Sequence, residues 1–462
     1  MTRLPRSESP LGGPWVAFAA ILIGAAVLRL VGIRHGLPYG SLLDPDEQNV
    51  VPRAWKMVHG GGADPQFFDW PTLVTYLEAP FQWWHASPSY LTGRLVVVGL
   101  GVLGVAAAWL LGSAAYGTVA GAVAAATTAV ATTHVAYSHA AVTDVPLTTF
   151  ITVALALLVM NQPELAGVAI GVATAAKYPG AILLVPLVVL TWRRWGTLAI
   201  SAALAAVAFA VASPYTILRA ADAWSALRRV QAQHRRGWLG FEHDHWSGFA
   251  FTGRLWDAIG PVLLIALAGL VAALMRRKRP EDLVLASFFV AYFVSLLPLH
   301  SHFDRYVLPL VPVCGALAGR LRGIAAVTLL LLVVPFAWSA RNDARLTRTD
   351  TRVAAARWID EHVPKGATIA AESSTAVPRG YRVLALRLPL PGKPAARSLA
   401  RLRGRAGWVL VSGAVADRVE RARDRYPQDA AFYSQLEART RRVLRIEPRD
   451  GLSGPWVALY RL

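Results

Sequence analysis

The sequence predicts an α-helical polytopic membrane protein with a small α/β domain at its C-terminal end. Three observations predict this. Hydrophobic residues make up 55% of the 462 residues and charged residues only 16%, with a mean hydropathy of +0.41. An ordinary soluble domain runs near 45–50% apolar and about 25% charged. The apolar excess is concentrated in repeated long runs between 14 and 340, and the pattern beyond 340 changes to short mixed segments punctuated by Pro364, Pro389, Pro391 and Pro394. A soluble enzyme, a disordered chain, a fibrous protein and a disulfide scaffold are excluded on these grounds.

A span needs roughly 20 apolar residues, fewer in tight hairpins. On that criterion about eleven spans lie near 14–33, 91–111, 117–136, 143–160, 164–176, 179–191, 196–214, 255–275, 282–299, 305–319 and 322–340. The fifth and sixth are short. Arg3 and Arg6 precede the first, and no A-x-A-like cleavage site follows it, so it reads as a retained signal anchor.

Orientation follows from Lys and Arg in the short loops. With Arg3 and Arg6 cytoplasmic, alternation places Arg193-Arg194, Arg276-Arg277-Lys278-Arg279, Arg320 and Arg322 inside as well. The same alternation sends 34–90, 137–142, 177–178, 215–254, 300–304 and the tail from 341 outside. Trp83, Trp84, Trp192, Trp195, Trp238 and Trp338 fall near span ends, where an amphipathic ring prefers the interface. The expected location is the bacterial cytoplasmic membrane, with domains 1–340 (helical, with outer loops 34–90 and 215–254) and 341–462 (extracytoplasmic α/β).

The formal charge is +19, and only five basic residues are lysine: Lys56, Lys177, Lys278, Lys365 and Lys393. The excess reflects either an Arg-rich genome or attraction to anionic headgroups of the membrane lipids. The basic residues are scattered and no nucleic-acid motif is present, so nucleic acid is not a partner. Cys314 is the single cysteine, which excludes an internal disulfide and thiolate metal sites.

The outer segments are longer than connectors need. Residues 46–59 and 72–86 read as short amphipathic helices on the membrane surface, separated by the turn-rich Gly60–Pro65. Loop 215–254 carries an Arg-rich helical stretch from Trp224 to Arg236. The tail reads as helices at 350–362, 414–426 and 429–438, and strands at 367–371, 382–388, 408–412, 441–446 and 456–461. It contains no nucleophile elbow, P-loop or metal-ligand cluster, so it is an accessory to the chemistry.

Four polar features meet the outer face. Asp44-Pro45-Asp46-Glu47 could supply a general base or bind a cation, or could simply open a helix. Asp144 opens the fourth span, as an N-cap or as an acid at a cavity mouth. Lys177-Tyr178 lies between two short apolar runs, as a phosphate ligand or a snorkelling lysine. His300-Ser301-His302-Phe303-Asp304-Arg305-Tyr306 offers weak metal ligands and an Arg for phosphate, or an interfacial anchor. Their coincidence suits glycosyl transfer from a lipid phosphate: cations bind the leaving phosphate and a carboxylate deprotonates the acceptor hydroxyl.

On these residues the chain resembles the GT-C glycosyltransferases that use polyprenyl-phosphate sugars, and most of all the bacterial family-39-like membrane transferases. These include the lipid A aminoarabinose transferase, the Rgt-type lipopolysaccharide transferases and, more distantly, the protein O-mannosyltransferases. The resemblance runs from Asp44 through Tyr306 and the 215–254 loop into the tail. It implies a GT-C fold, Asp46 as general base supported by Glu47, and Asp144 as a second catalytic acid. It implies that Lys177, at the end of a Gly-rich span, contacts the donor phosphate, with Arg305-Tyr306 in a similar role. One departure stands out. Where some relatives carry Glu-Lys-Pro, this chain has Phe68-Asp69-Trp70-Pro71, which keeps the acid and loses the lysine. That weakens transfer of the aminoarabinose activity specifically.

The expected reaction is one inverting displacement. Its donor is a polyprenyl-phosphate sugar and its acceptor a lipid, glycan or protein. Asp44, Asp69, Trp70 and Tyr178 would orient acceptor or sugar. No cofactor is required; a divalent metal held by the acids is compatible with the chemistry, and its identity is unknown. The rival reading is a transporter or flippase of a lipid-linked substrate. It is disfavoured because no internal repeat is visible and the acids lie at the outer mouth, away from mid-span.

Overall fold

The computed structural model describes residues 13–40, 42–276, 279–391, 397–449 and 451–462. Arg3, Arg6, Arg277, Lys278, Lys393 and Pro394 lie outside the described residues.

Every apolar run marked in the sequence is helical. By length and composition, three helices among the described residues can cross a membrane: Tyr90–Tyr116, Trp195–Ala212 and Arg322–Leu346. Two bent pairs qualify if each is one span, and five shorter apolar helices of 10–17 residues accompany them, Pro14–Leu30, Asp144–Val159, Pro163–Ala176, Tyr178–Thr191 and Leu310–Gly319. The run read as one span over 255–275 is corrected. Helix Ser247–Ile259 breaks at Gly260-Pro261 and turns by 117° before Val262. Gly260 adopts φ +57°, a conformation glycine enters without steric cost, and the proline after it supplies no N–H to continue the helix. A smaller bend of 57° separates Thr118–Val130 from Thr132–Ser138.

Small residues let the helices approach closely. Gly167 and Gly171 lie one turn apart on Pro163–Ala176, against the backbone carbonyls of Ser201 and Ala205, and no Cβ would fit there. Such small-residue seams replace the hydrophobic drive that lipid cannot supply. They set the line along which this helix ends at Lys177.

The two ends of the helical body differ in kind. At one end Asp282 pairs with Arg320 at 2.8 Å and accepts from the Tyr116 hydroxyl at 2.7 Å, and Arg194 donates to Asn161 at 3.1 Å. These are the loops the positive-inside count places together. At the other end lie 34–90, 137–142, 177–178, 215–254 and 300–304, together with the tail.

The two expected surface helices of the first outer loop form as Glu47–Lys56 and as Leu73–Glu78 continued by one tight turn, Ala79–Gln82. Val50, Val51 and Ala54 of the first are fully buried. The tail folds around a five-stranded sheet. Its strand order is Arg382–Leu386, Thr368–Glu372, Trp408–Ser412, Val457–Arg461 and Arg441–Ile446; the first three are parallel and the last two join antiparallel. Helix Thr351–His362 covers one face through Ala355 and Ile359, and Pro427–Arg439 covers the other through Phe432 and Leu436. The two inner parallel strands, Thr368–Glu372 and Trp408–Ser412, are therefore buried on both sides, as their nearly unbroken apolar runs require, while Arg382–Leu386 is a largely exposed edge. A two-residue pairing of Thr349–Asp350 with Leu452–Ser453, too short to announce itself in sequence, ties the start of the tail to its last turn.

The tail grips both long outer loops. Leu42 packs against Val353, Ala356 and Ala376, and Leu239 packs against Val415, Val419 and Ala422. The Tyr426 hydroxyl donates to Glu242 at 2.8 Å.

Candidate active site

The first carboxylates are placed by a turn. The Asp46 N–H donates to the Asp44 side chain at 2.8 Å, and helix Glu47–Lys56 starts immediately after. Asp46 occupies the N-cap position, yet its side chain caps nothing. It reaches Arg305 instead: Arg305 Nη1 lies 2.6 Å from Asp46 Oδ2 and 3.4 Å from Asp44 Oδ2. The helix-opening reading of this motif therefore describes its backbone but not its side chains. Asp46 keeps 26% of its side chain exposed against 12% for Asp44, so Asp46 is the more open of the two.

Arg305 stands on a single tight turn, Asp304–Val307. Its guanidinium lies over the ring of Phe303 at 4.9 Å. Asp304 accepts from the Tyr137 hydroxyl at 2.6 Å and from the Arg305 N–H at 3.0 Å, which fixes the turn. Arg305 Nε is buried and, among the described residues, has no hydrogen-bond partner. An unspent donor beside two carboxylates is what an incoming oxyanion needs.

Asp144 is the first residue of helix Asp144–Val159, after Thr143, and its carboxylate accepts from Lys177 Nζ at 2.7 Å. Lys177 ends helix Pro163–Ala176 in an extended conformation, with its ammonium 5.8 Å from the Tyr306 ring centre. The Tyr306 hydroxyl meets the His234 ring at 3.2 Å, so helix Ala220–Arg236 closes over this side. The site thus joins Asp44, Asp46, Asp144, Lys177, Arg305 and Tyr306, drawn from four separate parts of the chain.

Electrostatics distinguish the acids. Burial, opposed by Arg305 and the Asp46 N–H and reinforced by Asp46 and Asp144, leaves the Asp44 carboxyl raised to about 6. His234 is pushed down to about 4, first by burial and then by Arg305 and Lys177.

Other predicted residues lie apart. Glu47 is wholly buried and paired with Arg94, which the sequence reading passed over; a single arginine in an otherwise apolar run was the available signal. Asp69 pairs with Arg229 at 2.6 Å across a cavity of about 540 Å³ lined also by Gln66, Phe67, Asp222 and Ser225. Arg229 brings a cation to the place where the sequence lacks its lysine. Trp70 meets Phe67 edge-on at 4.8 Å, half-buried. Tyr178 links this cavity to the centre, its hydroxyl donating to the Phe68 carbonyl at 3.2 Å. His302 is engaged at both nitrogens, by Asp244 at 2.9 Å and Ser247 at 3.1 Å. Among the described residues no three His, Cys, Asp or Glu side chains form a group able to hold a metal ion. The acids of the site instead carry guanidinium and ammonium partners.

Comparison with known proteins matches the family model of glycosyltransferase family 87 to residues 68–299. That range includes Asp69, Trp70, Asp144, Lys177 and Tyr178, and leaves Asp44, Asp46, Glu47, Arg305 and Tyr306 outside. The family number differs from the family-39 likeness of the motifs; the GT-C class stands. No curated protein matches the sequence. Among solved structures, ArnT from Cupriavidus metallidurans in the apo state is similar over 96% of this chain and 97% of its own, with TM-score 0.62 and 17% identity. The same protein bound to undecaprenyl phosphate is similar over 98% of each chain, with TM-score 0.57 and 16% identity. An Archaeoglobus fulgidus oligosaccharyltransferase in complex with Zn and sulfate is similar over 89% of this chain and 70% of its own, with TM-score 0.57 and 14% identity. These likenesses establish a shared fold.

Proposed function

The chain belongs to glycosyltransferase family 87, and from that premise we propose that it transfers a sugar from a polyprenyl-phosphate donor to a lipid, glycan or protein acceptor at the outer face of the cytoplasmic membrane. The observation that carries this reading is the pairing of two cations with three carboxylates: Arg305 with Asp44 and Asp46, and Lys177 with Asp144. The undecaprenyl phosphate bound by the ArnT relative supports the donor class.

The proposed step is a single inverting displacement. The donor phosphate takes up the Arg305 guanidinium, including its unpartnered Nε, and the Lys177 ammonium. This loosens Asp46 from Arg305. The acceptor hydroxyl oxygen attacks the anomeric carbon, its proton passes to Asp46, and the bond from that carbon to the phosphate oxygen breaks. The electron pair leaves with the phosphate, where Arg305 and Lys177 stabilise the developing charge. Tyr306 and His234 wall the site. Asp44 tunes Arg305, Asp144 holds Lys177, and Glu47 positions the helix without touching substrate. Asp69 lines the cavity, Trp70 and Tyr178 stand against its Phe67 and Phe68, and the three orient sugar or acceptor. The cationic partners of the acids disfavour a divalent ion as a required component.

Purified protein is to be offered a panel of radiolabelled polyprenyl-phosphate sugars beside Asp46→Asn. Transfer or donor hydrolysis by the wild type that vanishes in the folded variant is the expected result. Equal turnover by both proteins would refute Asp46 as base. Protein-dependent lipid crossing of liposome bilayers without turnover would refute the transferase reading.

A further inference from the structure

A second cavity, of about 400 Å³, is lined by Asp304, the residue before Arg305. One wall is a single helix face: Trp338, Arg341, Asn342 and Arg345, spaced by three and four residues on Val333–Leu346. That spacing places them on one stripe. Thr133, on helix Thr132–Ser138, and Asp304 line it from other elements.

Two observations point to a ligand. Neither Arg341 nor Arg345 has a hydrogen-bond or ion-pair partner among the described residues. The Thr133 hydroxyl is buried, in a residue only 4% exposed, and among the described residues it too has no partner. A buried hydroxyl left unpaired is destabilising, so a ligand that accepts from it recovers that loss. Two free guanidinium groups beside a hydroxyl donor match a phosphate group.

The helix itself says from where the phosphate comes. Leu330, Val333 and Phe336, on the turns just before Trp338, are 70%, 58% and 48% exposed, and the helix is apolar enough to cross a membrane. Trp338 therefore stands where the lipid-facing surface ends, the level at which indole rings and lipid phosphates meet. We propose that this cavity binds the phosphate-bearing headgroup of an anionic membrane lipid, with Arg341 and Arg345 on the phosphate, Thr133 donating to it, and an acyl chain lying along Leu330 and Val333. The Asp304 carboxylate, already holding the Tyr137 hydroxyl, faces the hydroxyl-bearing part of the headgroup and keeps the phosphate toward the arginines. The inference stands on this cavity alone and does not depend on the transfer reaction.

The test is native mass spectrometry of delipidated full-length protein titrated with phosphatidylglycerol, phosphatidylcholine or glycerol 1-phosphate. One phosphatidylglycerol is expected to be retained in preference to phosphatidylcholine, about tenfold or more weaker in Arg341→Gln/Arg345→Gln, and weaker also in Thr133→Val. Both arginines are exposed, so the double variant is expected to keep its fold. Glycerol 1-phosphate binding as well as the lipid does would overturn the membrane source in favour of a soluble phosphate. Equal retention by wild type and the double variant, or no preference for the anionic lipid, would overturn the site.

Discussion

Glu47 accepts two hydrogen bonds from Arg94, at 2.7 and 2.8 Å, and neither side chain is exposed. The same arginine donates to the carbonyls of Ile33 and His35 at 3.0 and 2.8 Å, and Glu47 also accepts from the Ala141 N–H at 3.0 Å. One buried pair therefore fastens the exit of the first helix, the helix behind Asp46 and the turn ahead of Asp144. Removing one partner of such a pair strands a charge and costs about 3–5 kcal/mol. Glu47→Gln is expected to lower the melting temperature strongly, and Glu47→Gln with Arg94→Met to recover much of it. Glu78 supplies the contrast. Among the described residues neither of its buried oxygens has a partner, and burial, with Glu47 nearby, holds its carboxyl well above the usual range. Glu78→Gln should leave the melting temperature nearly unchanged. Thermal unfolding in detergent reads all of these; a Glu78→Gln loss as large as that of Glu47→Gln would refute the distinction.

The two cations are expected to separate in kinetics. If Arg305 and Lys177 stabilise the phosphate as it leaves, Arg305→Met and Lys177→Met each lower kcat by about 100- to 1,000-fold, the scale of losing one aimed donor at a developing oxyanion. Lys for Arg at 305 retains charge but has no second donor to match the unpartnered Nε that is left for the phosphate, so Arg305→Lys should recover only part of kcat. A change in KM for donor with kcat intact would instead mean that the cations bind the phosphate equally in ground and transition states.

Asp44 sets the expected pH dependence. Its carboxyl stands at about 6 in the fold against 3.8 for the free group, so the folded protein binds this proton more tightly than the unfolded chain. The associated stability is full below the unfolded value and is lost as pH rises through about 6. Catalysis should run the other way. Below about 6 a neutral Asp44 leaves Arg305 to Asp46 alone, and the base is tightly held. Above it Asp44 shares the guanidinium and Asp46 is freer to take a proton. The ratio kcat/KM should therefore rise through about pH 6, and Asp44→Asn should remove that limb. His234, at about 4, is already neutral there. A limb that survives Asp44→Asn would assign it to another group.

Much of this site was legible because membrane topology does part of the folding. Charge in short loops assigned Asp46, Asp144, Lys177 and Arg305 to one face, and that face is where they meet. Their partnerships were not legible. Asp46 and Arg305 are 259 residues apart, and no periodicity encodes which acid meets which cation. The break at Gly260-Pro261 was masked by the apolar run around it, since hydropathy averages over a turn that two residues create. The tail strands showed through their apolar blocks, whereas its contacts with Leu42 and Leu239 depend on docking, which composition does not record.

The tail contact nearest the acids yields the last prediction. Arg352 donates to the Leu42 carbonyl at 2.8 Å, two residues before Asp44, and is itself held by Asp350 at 2.6 Å; Asp350 in turn meets His35 at 3.0 Å. Arg352 touches no residue of the phosphate site, so it acts by fixing the backbone that presents Asp44 and Asp46. Misplacement of a reacting group by about 1 Å costs on the order of 100-fold. Arg352→Gln should therefore lower kcat by about 10- to 100-fold with little change in KM for donor, while Arg352→Lys, which keeps a donor within reach of Asp350 and Leu42, recovers part of it. A tail that merely adds stability would give the opposite pattern: a lower melting temperature with kcat unchanged at temperatures where the variant is folded.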